Sequence, residues 1–242
     1  MKTTIVIPTY NEKENLPTLL ENIFALQQEN LNVLIVDDNS PDGTGQLAEK
    51  LKEKYQPYLE VFHRPEKTGL GRAYIEGFQK AIDAGADIIG QMDADFSHPV
   101  NKIPDLIAAA SKGNIAVGSR YTKGGSLDEK WPLWRKALSR FGSIYSRTIL
   151  RLKLNDVTAG YRFWPKQALS AMPLDRIRSG GYVFQVEMSY LAHKLGFQFS
   201  EVPIHFAERV AGISKMSFKI QVEAAIQVWL LPRRYRDIQK LV

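Results

Sequence analysis

Short apolar segments alternate with longer amphipathic segments through the first 118 residues, and this alternation limits the folds open to the chain. The strand-like segments, rich in Ile, Val and Leu, are residues 3–8, 31–36, 58–63, 87–92 and 114–118. The segments with helical character between them are residues 12–28, 43–55, 70–84 and 99–111. Strands that alternate with helices of this length predict βαβ units and an α/β fold with a mostly parallel sheet flanked by helices.

Residues typical of helix starts support these boundaries. Asn11 stands before Glu12, a turn and cap cluster occupies residues 40–44, and Pro99 precedes the fourth helical segment. Small polar residues and proline are favoured where a helix begins. We therefore expect the first helix to start directly after Asn11.

The pattern changes after Gly118. Residues 119–130 are predicted to form a loop rich in Gly, Lys and Ser, and residues 131–152 a basic amphipathic helix. The later segments are a mixed stretch at 156–164, a helix at 181–195, a strand at 197–204, a polar loop at 205–215 and an apolar helix at 218–231 closed by Pro232. Because 242 residues fit one large α/β domain better than two small ones, we predict a single domain over residues 1–242.

The net charge of +6 is unevenly distributed. Lys and Arg are concentrated in residues 120–153 and 209–242, and the remainder of the chain is acidic. Such basic regions are either solvated helix faces or surfaces that attract a polyanion. The polyanion could be nucleic acid, an anionic membrane surface or substrate phosphates.

Three classes of feature are missing from the sequence. There are no cysteines, so disulfides, thiolate metal sites and cysteine catalysis are excluded. The chain enters a strand-like run at residue 3, so we expect no signal peptide. No apolar run reaches the length of a transmembrane helix, so any membrane association is expected to be peripheral.

Asp93 and Asp95 follow the fourth strand-like segment with one small residue between them. Ligands collect at the carboxyl end of strands in an open α/β sheet. Two carboxylates this close repel unless a cation holds them, and hard divalent ions bind carboxylate and phosphate oxygens. The pair therefore predicts a Mg²⁺ or Mn²⁺ site on a diphosphate, although a polar loop gives the same pattern.

Two other strand ends also carry polar or aromatic groups. Residues 8–12 (Pro-Thr-Tyr-Asn-Glu) follow the first strand, where a dinucleotide-binding fold would place glycines, so a nicotinamide enzyme is disfavoured. Tyr10 could stack on a base and Glu12 could accept a hydrogen bond from base or ribose. After the second strand, one of Asp37 and Asp38 would contact ribose or base and the other would be a structural cap. Three such ends at one edge favour a nucleotide pocket.

The ordered set of motifs resembles a known family. The motifs are residues 8–12, 36–44, 69–71, 93–99, 118–121, 181–185 and 209–215. Together they resemble the inverting glycosyltransferases of family 2, which have the GT-A fold, and within that group the dolichol-phosphate (polyprenol-phosphate) mannosyltransferases. The resemblance covers nearly the whole chain. It implies a nucleotide-sugar-binding half at 1–118 and an acceptor-binding, membrane-associating and partly helical half at 119–242.

The resemblance also implies ligands and site residues. The donor would be GDP-mannose, the acceptor a polyprenyl or dolichyl monophosphate, and the cofactor Mg²⁺ or Mn²⁺ held by Asp93 and Asp95. The residues that would bind the nucleotide sugar are Pro8, Tyr10, Glu12, Val36, Asp38, Asp93, Ala94, Arg209 and Lys215. The acceptor phosphate would be held by Arg120, Arg135 and Ser139. Ser97 stands where some relatives have an amide side chain, so a third protein ligand to the metal is in doubt.

The implied chemistry agrees with the charges. A phosphate monoester is largely a dianion at neutral pH, because its second pKa is about 6, so it can attack without a general base. Arginines would bring it close to a diphosphate of the same sign. A sugar hydroxyl acceptor would instead need a carboxylate base, for which Asp156 is the candidate, although a structural cap is the preferred interpretation. The catalytic residues would then be Asp93, Asp95 and Arg120.

Several alternatives remain open from the sequence. Trp131 and Trp134 flank a basic helix, and residues 218–231 are followed by Arg233, Arg234 and Arg236. Both patterns suit the cytoplasmic face of a membrane, and the alternative is a core helix with a solvated tail. His98 and His205 are expected to be caps or surface residues rather than metal ligands. The donor could be UDP-glucose or another sugar nucleotide, and some relatives need a membrane partner subunit. A basic nucleic-acid-binding module is the alternative of another class, but the acidic strand ends disfavour it, and we expect no nucleic-acid partner.

Overall fold

The computed structural model describes residues 1–207 and 218–241, and the side chains of residues 218–224 lie outside the described part. The strands are β1 (Thr3–Thr9), β2 (Leu31–Asp37), β3 (Leu59–His63), β4 (Ile88–Gln91), β5 (Ile115–Ser119), β6 (Ser126–Leu127), β7 (Arg162–Pro165), β8 (Phe199–Pro203) and β9 (His205–Phe206). The helices are α1 (Leu16–Ala25), α2 (Thr44–Tyr55), α3 (Leu70–Asp83), α4 (Ile103–Ala110), α5 (Leu133–Leu150), α6 (Lys166–Ala171), α7 (Gly181–Leu195) and α8 (Phe218–Arg234).

Seven strands form one sheet in the order β3-β2-β1-β4-β7-β5-β8. All neighbours are parallel except β7, which runs antiparallel to both β4 and β5. The chain runs outward from β1 to β3 and then returns to place β4 on the other side of β1. Ligands of open α/β sheets bind beyond the carboxyl ends of the strands where the order reverses, which here lies between β1 and β4.

Helices cover both faces of the sheet, and the alternation of side chains along β1 shows why. Ile5 and Ile7 pack in the layer that contains α1, α2 and α4, whereas Val6 packs with Tyr74 and Phe78 of α3. Successive side chains of a strand point to opposite faces, so an unbroken apolar run fits a strand buried on both sides. The predicted mostly parallel α/β sheet is confirmed.

The first helix begins later than predicted, at Leu16 rather than after Asn11. Asn11 has a left-handed φ of 62°, and the backbone N–H groups of residues 11, 12 and 13 donate to side chains of the turn at 40–44. Leu16 already donates a helical bond to the carbonyl of Glu12, but Pro17 has no N–H to continue the pattern, so regular helical bonding begins with Leu19 donating to Asn15.

The mixed stretch at 156–164 contains a central strand, β7. It separates β5 from β4, although the sequence pattern suggested a run of successive βαβ units. Arg162 obscured this strand in the sequence. It is fully buried because its guanidinium donates to the carbonyls of Val157 and Ala159 and to Ser189 Oγ.

The second half differs from expectation at two further points. α8 does not end at Pro232 but continues through it to Arg234. The predicted loops at 119–130 and 205–215 contain β6 and β9, which pair with each other, and residues 208–217 lie outside the described part of the chain. Among the described helices, none combines the length and apolar character needed to cross a bilayer.

Candidate active site

Asp95 lies just beyond the carboxyl end of β4, at the point where the strand order reverses. The backbone N–H of Ser97 donates to Asp95 Oδ1 over 3.1 Å, and the Ser97 hydroxyl donates to the same oxygen over 2.6 Å. Phe96 between them has a left-handed φ of 61°. Residues 95–97 therefore fold back on one oxygen of Asp95, and these hydrogen bonds hold the carboxylate in position without a ligand.

Asp93 is held from two directions. The Tyr74 hydroxyl donates to Asp93 Oδ1 over 2.7 Å, and the backbone N–H of Asp93 donates to His98 Nδ1 over 3.0 Å. Burial, and then the charge of Asp93, raise the pKa of Tyr74 well above its usual value, so its hydroxyl stays protonated and remains a donor. His98 is buried against Tyr161 and acts as a cap inside the fold, whereas His205 is exposed.

The two aspartates after β2 have different environments. Asp37 accepts from the hydroxyls of Thr9 and Ser40, at 3.0 and 2.6 Å, and from the backbone N–H of Ser40 at 3.0 Å. It is therefore the structural cap of the turn. Asp38 pairs instead with the buried guanidinium of Arg64. Burial raises the pKa of Asp38, and the hydrogen bond and charge of Arg64 oppose that rise.

Lys67 joins the loop after β1 to the loop after β2. Its ammonium lies 3.4 Å from the centre of the Tyr10 ring, and its charge also acts on Asp38. Tyr10 and Asp38 therefore lie on either side of one lysine. Of the other residues predicted to line this part of the pocket, Val36 and Ala94 are buried and Pro8 and Glu12 are partly exposed.

Arg120 is 7% exposed and forms an ion pair with the fully buried Asp156. Its Nε and Nη2 donate to the two carboxylate oxygens over 2.7 and 2.6 Å, and its backbone N–H donates to Oδ2 over 2.9 Å. Burial opposes the charge of Arg120, but the carboxylate raises its pKa above the usual value. Within residues 1–207 and 225–241, Nη1 has no hydrogen-bond partner, so this nitrogen is the one left to contact a ligand.

Aromatic rings connect Arg120 to Arg135. The Arg120 guanidinium lies 5.2 Å from the centre of the Phe206 ring, Phe206 packs edge-on against Trp131, and Arg135 lies 3.6 Å above Trp131. The predicted acceptor-binding residues thus border one aromatic cluster. Ser139, the third of them, accepts a hydrogen bond of 2.7 Å from Tyr121, which directly follows Arg120.

Comparison with known proteins decides the family. Residues 4–171 match the family model described as Glycosyl transferase family 2. The chain belongs to this family. It is 43% identical over 241 residues to an undecaprenyl-phosphate mannosyltransferase of Micrococcus luteus, covering 99% of this chain and 98% of that protein. It is 40% identical to a polyprenol monophosphomannose synthase of Mycolicibacterium smegmatis, over 94% and 85% of the two chains, and 36% identical to a dolichol-phosphate mannosyltransferase of Pyrococcus furiosus, over 100% and 67%.

A solved structure supports the fold. Glucosyl-3-phosphoglycerate synthase from Mycobacterium tuberculosis, in complex with Mn²⁺, UDP and phosphoglyceric acid, superimposes with a TM-score of 0.67 at 15% identity. The match covers 96% of this chain and 78% of that one. This family 2 chain therefore has the GT-A fold and is a glycosyltransferase, as its sequence motifs indicated.

The carboxylate pair of this glycosyltransferase fits a divalent ion that is shared with a substrate. Across the described residues, no three His, Asp or Glu side chains group together as metal ligands. The Ser97 hydroxyl donates to Asp95, so it is committed to the loop rather than to a third ligand position. A site with one or two carboxylates is typical of Mg²⁺, which takes its remaining ligands from water and substrate phosphates.

Two predicted site residues lie outside the described part of the chain, and the structure adds residues that the sequence analysis did not assign to the site. Arg209 and Lys215 lie outside the described residues. No sequence pattern indicates that Tyr74 orients Asp93 or that Arg64 neutralises Asp38, because both contacts join residues on different elements. Gln185, near the start of α7, lies in the motif at residues 181–185, but the sequence alone indicates no role for it in the site.

Proposed function

We propose that this glycosyltransferase moves mannose from GDP-mannose to a polyprenyl or dolichyl monophosphate with inversion at the anomeric carbon. The observation that carries the proposal is the placement of two carboxylates, Asp93 and Asp95, at the reversal point of the sheet. The buried Arg120 adds to it, because it borders the same aromatic cluster as Arg135. The three relatives, all mannosyltransferases or mannose synthases of polyprenyl-type phosphates, support the sugar and the acceptor.

The donor would occupy the half formed by residues 1–118. Tyr10 offers its ring to the guanine base, Asp38 and Glu12 accept hydrogen bonds from base or ribose, and Pro8, Val36 and Ala94 line the walls. Lys67 covers the Tyr10 ring, so a base that stacks there displaces the ammonium towards Asp38. Arg209 and Lys215 would bind the diphosphate.

Asp93 and Asp95 would hold Mg²⁺ or Mn²⁺ against the donor diphosphate. A bound divalent ion neutralises the charge that develops on the leaving diphosphate. The Mn²⁺ named with the nucleotide in the structural neighbour supports this part of the proposal. Tyr74 and Ser97 keep the two carboxylates in place, so little reorganisation is needed when the donor binds.

The acceptor would enter the half formed by residues 119–242. Its phosphate would contact Arg120 Nη1, Arg135 and Ser139. One phosphate oxygen forms a bond to the anomeric carbon as the bond from that carbon to the diphosphate breaks, and GDP leaves. Because the attacking group is already an anion, no base is needed, which agrees with the use of both Asp156 oxygens in binding Arg120.

A polyprenyl acceptor requires the enzyme to work at a membrane. Helices α5 and α8 expose large apolar side chains beside many basic ones, which suits a peripheral position on an anionic surface. We place this surface at the cytoplasmic face. A membrane partner subunit is compatible with the same face, and the test below is therefore run with the purified chain alone and with membranes added.

The experiment is incubation of the purified protein with labelled GDP-mannose and a short polyprenyl phosphate, with and without EDTA. We expect a lipid-soluble mannosyl phosphodiester that disappears when EDTA is present and returns with Mg²⁺ or Mn²⁺. UDP-glucose and other sugar nucleotides are tested in parallel. Faster transfer from one of them would reassign the donor, and no transfer from any donor, even with membranes, would contradict the proposed activity.

A further inference from the structure

Gln185 is a buried side chain with an unused hydrogen-bonding atom. It lies near the start of α7 and is 5% exposed. Its amide oxygen, Oε1, is buried and has no hydrogen-bond partner in the described part of the chain. A buried polar atom without a partner destabilises the fold, so it is kept only where something else satisfies it.

The Gln185 amide lies beside the carboxylate that would hold the metal. A methyl group at Gly160 would lie 3.6 Å from Gln185 Nε2, 3.6 Å from His98 Cε1 and 3.8 Å from Asp93 Oδ2. The amide nitrogen, the imidazole and the carboxylate therefore surround one small space, and Oε1 is bonded to the same carbon as that nitrogen. Gly160 leaves that space open, because any larger residue would place its first side-chain carbon there.

The position of the amide is tied to that of Asp93. Phe184, the residue before Gln185, stacks in parallel with Tyr74 at 6.2 Å between ring centres, and Tyr74 donates to Asp93. The same ring contacts α3 closely, since a Cβ at Gly71 would lie 2.9 Å from Phe184 Cδ2. The start of α7 is thus held against the residue that orients Asp93.

The chemistry of the unused atom limits its ligand. An amide oxygen only accepts hydrogen bonds, so it needs a donor. Phosphate oxygens at neutral pH are mainly acceptors, and a metal ion at the aspartates would be shared with the diphosphate. Beside the diphosphate, a nucleotide sugar carries donating hydroxyl groups on its ribose and on its hexose. The residues proposed for the ribose, Glu12 and Asp38, follow β1 and β2, which leaves the hexose for Gln185 on α7.

We propose that Gln185 is a specificity-determining residue that accepts a hydrogen bond from one hydroxyl group of the donor hexose. The inference rests on the proposed function, because it takes the ligand to be a nucleotide hexose. A site built to bind a hydroxyl discriminates strongly against an analogue that lacks it, because the protein atom is then left without a partner. Gln185 thus contributes to the choice of sugar.

The test crosses enzyme variants with donor analogues. Wild-type protein, Gln185→Met and Gln185→Glu are each assayed with GDP-mannose and with a panel of monodeoxy GDP-mannoses, each of which lacks one hydroxyl. For the wild type we expect one analogue to lose about 10- to 100-fold in kcat/KM. Gln185→Met has a side chain of similar length without the amide. Its kcat/KM with GDP-mannose should fall by a similar factor, and its kcat/KM values with that analogue and with GDP-mannose should be equal.

The second variant separates recognition from packing. Gln185→Glu keeps an acceptor oxygen at the same position, so it should still discriminate against the same analogue, although a further negative charge beside Asp93 should slow transfer. Gln79→Met, at an exposed glutamine of α3, is the matched control and should behave as the wild type.

Two results would overturn the inference, and both differ from a failure of the proposed function. If Gln185→Met discriminates among the analogues as the wild type does, the amide oxygen does not bind the sugar and is satisfied by water alone. If Gln185→Glu loses discrimination together with Gln185→Met, the residue acts through packing. The proposed function itself fails only if the wild type does not transfer mannose from intact GDP-mannose.

Discussion

Asp95 is buried, and its own loop supplies the hydrogen-bond donors that hold it. Ser97 supplies two hydrogen bonds to a single oxygen of the carboxylate. Hydrogen bonds to a charged acceptor are stronger than those between neutral groups. A metal ion that binds there therefore meets a carboxylate already held in position.

The first prediction concerns the charge of that carboxylate. Asp95→Asn keeps an oxygen for Ser97 but removes the negative charge, so we expect folding to be nearly unchanged and the transfer rate to fall by about 10²- to 10³-fold. The rate is measured with labelled donor at saturating metal. Asp105→Asn on α4, where the carboxylate is exposed and pairs with Lys102, is the control and should leave the rate unchanged. Normal transfer by Asp95→Asn would contradict a metal role.

The second prediction compares two ion pairs of similar geometry and different burial. Arg120 and Asp156 form a buried two-bond pair, and Arg176 and Asp237 form an exposed one. Asp156→Asn leaves a buried guanidinium without its counter-charge, which should lower the free energy of unfolding by about 3–5 kcal/mol.

Urea denaturation measures the difference between the two pairs. Solvent screens the exposed pair, so Asp237→Asn should shift the urea midpoint very little. Equal effects of Asp156→Asn and Asp237→Asn on the midpoint would show that Arg120 finds another partner, and would remove the structural role assigned to Asp156.

At the scale of elements, α3 lies so close to the sheet that a glycine is required at the contact. A Cβ at Gly77 would lie 2.4 Å from Val6 Cγ1 and 3.0 Å from Val36 Cγ2. This contact joins α3, which carries Tyr74, to β1 and β2, whose ends carry the residues proposed to bind the nucleotide. The spacing of the site thus depends on a small residue outside it.

The third prediction uses two helical glycines. Gly77→Ala should destabilise the protein by about 1–3 kcal/mol because the methyl group meets two valines, even though alanine is the better helix former. Gly142→Ala on α5, where nothing lies within 4 Å of the added atom, should instead stabilise by about 0.5–1 kcal/mol. Thermal or urea unfolding of both variants measures the two changes in the free energy of unfolding. Changes of the same sign in both would contradict the close contact between α3 and the sheet.

The elements also show which features the sequence could predict. β1, β2 and β4 were recognisable because apolar runs of that length suit strands buried on both faces. β7 was not, because its Arg162 is satisfied by carbonyl groups that only the folded chain brings together. Likewise Asp93 and Asp95 follow a strand and could be located, whereas the pairing of Arg120 with Asp156 joins residues 36 positions apart and depends on the tertiary fold.

At the scale of the whole molecule, α5 and α8 together carry seven of the exposed large apolar side chains in the described part of the chain. We define the α5–α8 surface by these residues: Leu133, Trp134, Phe141, Ile144, Ile226, Trp229 and Leu230. Leu133 is 83% exposed and Trp134 68%. Tyr145 links the two helices, since it stacks on Phe141 and accepts a hydrogen bond from Trp229. The opposite side of α8 buries Val228 and Leu231, so the helix is both a core helix and a surface one.

The fourth prediction tests this surface with lipid vesicles. Trp134→Glu combined with Phe141→Glu puts two charges on one face of α5 and should weaken sedimentation with anionic vesicles by at least about tenfold, because two large apolar groups no longer enter the interface. Tyr58→Glu, at an exposed tyrosine remote from α5, is the matched control and should bind vesicles normally. Equal loss in both proteins would mean that the added charge alone weakens binding.

The central claim is that a divalent ion at the end of β4 holds the diphosphate of a nucleotide sugar at the reversal point of the sheet. The most direct measurement is a crystal structure of the protein with GDP-mannose and Mn²⁺, with the ion located by its anomalous scattering. The account predicts one manganese peak that contacts the carboxylates of Asp93 and Asp95 and the diphosphate, with guanine beside Tyr10. A nucleotide bound elsewhere, or an ion away from both aspartates, would contradict it.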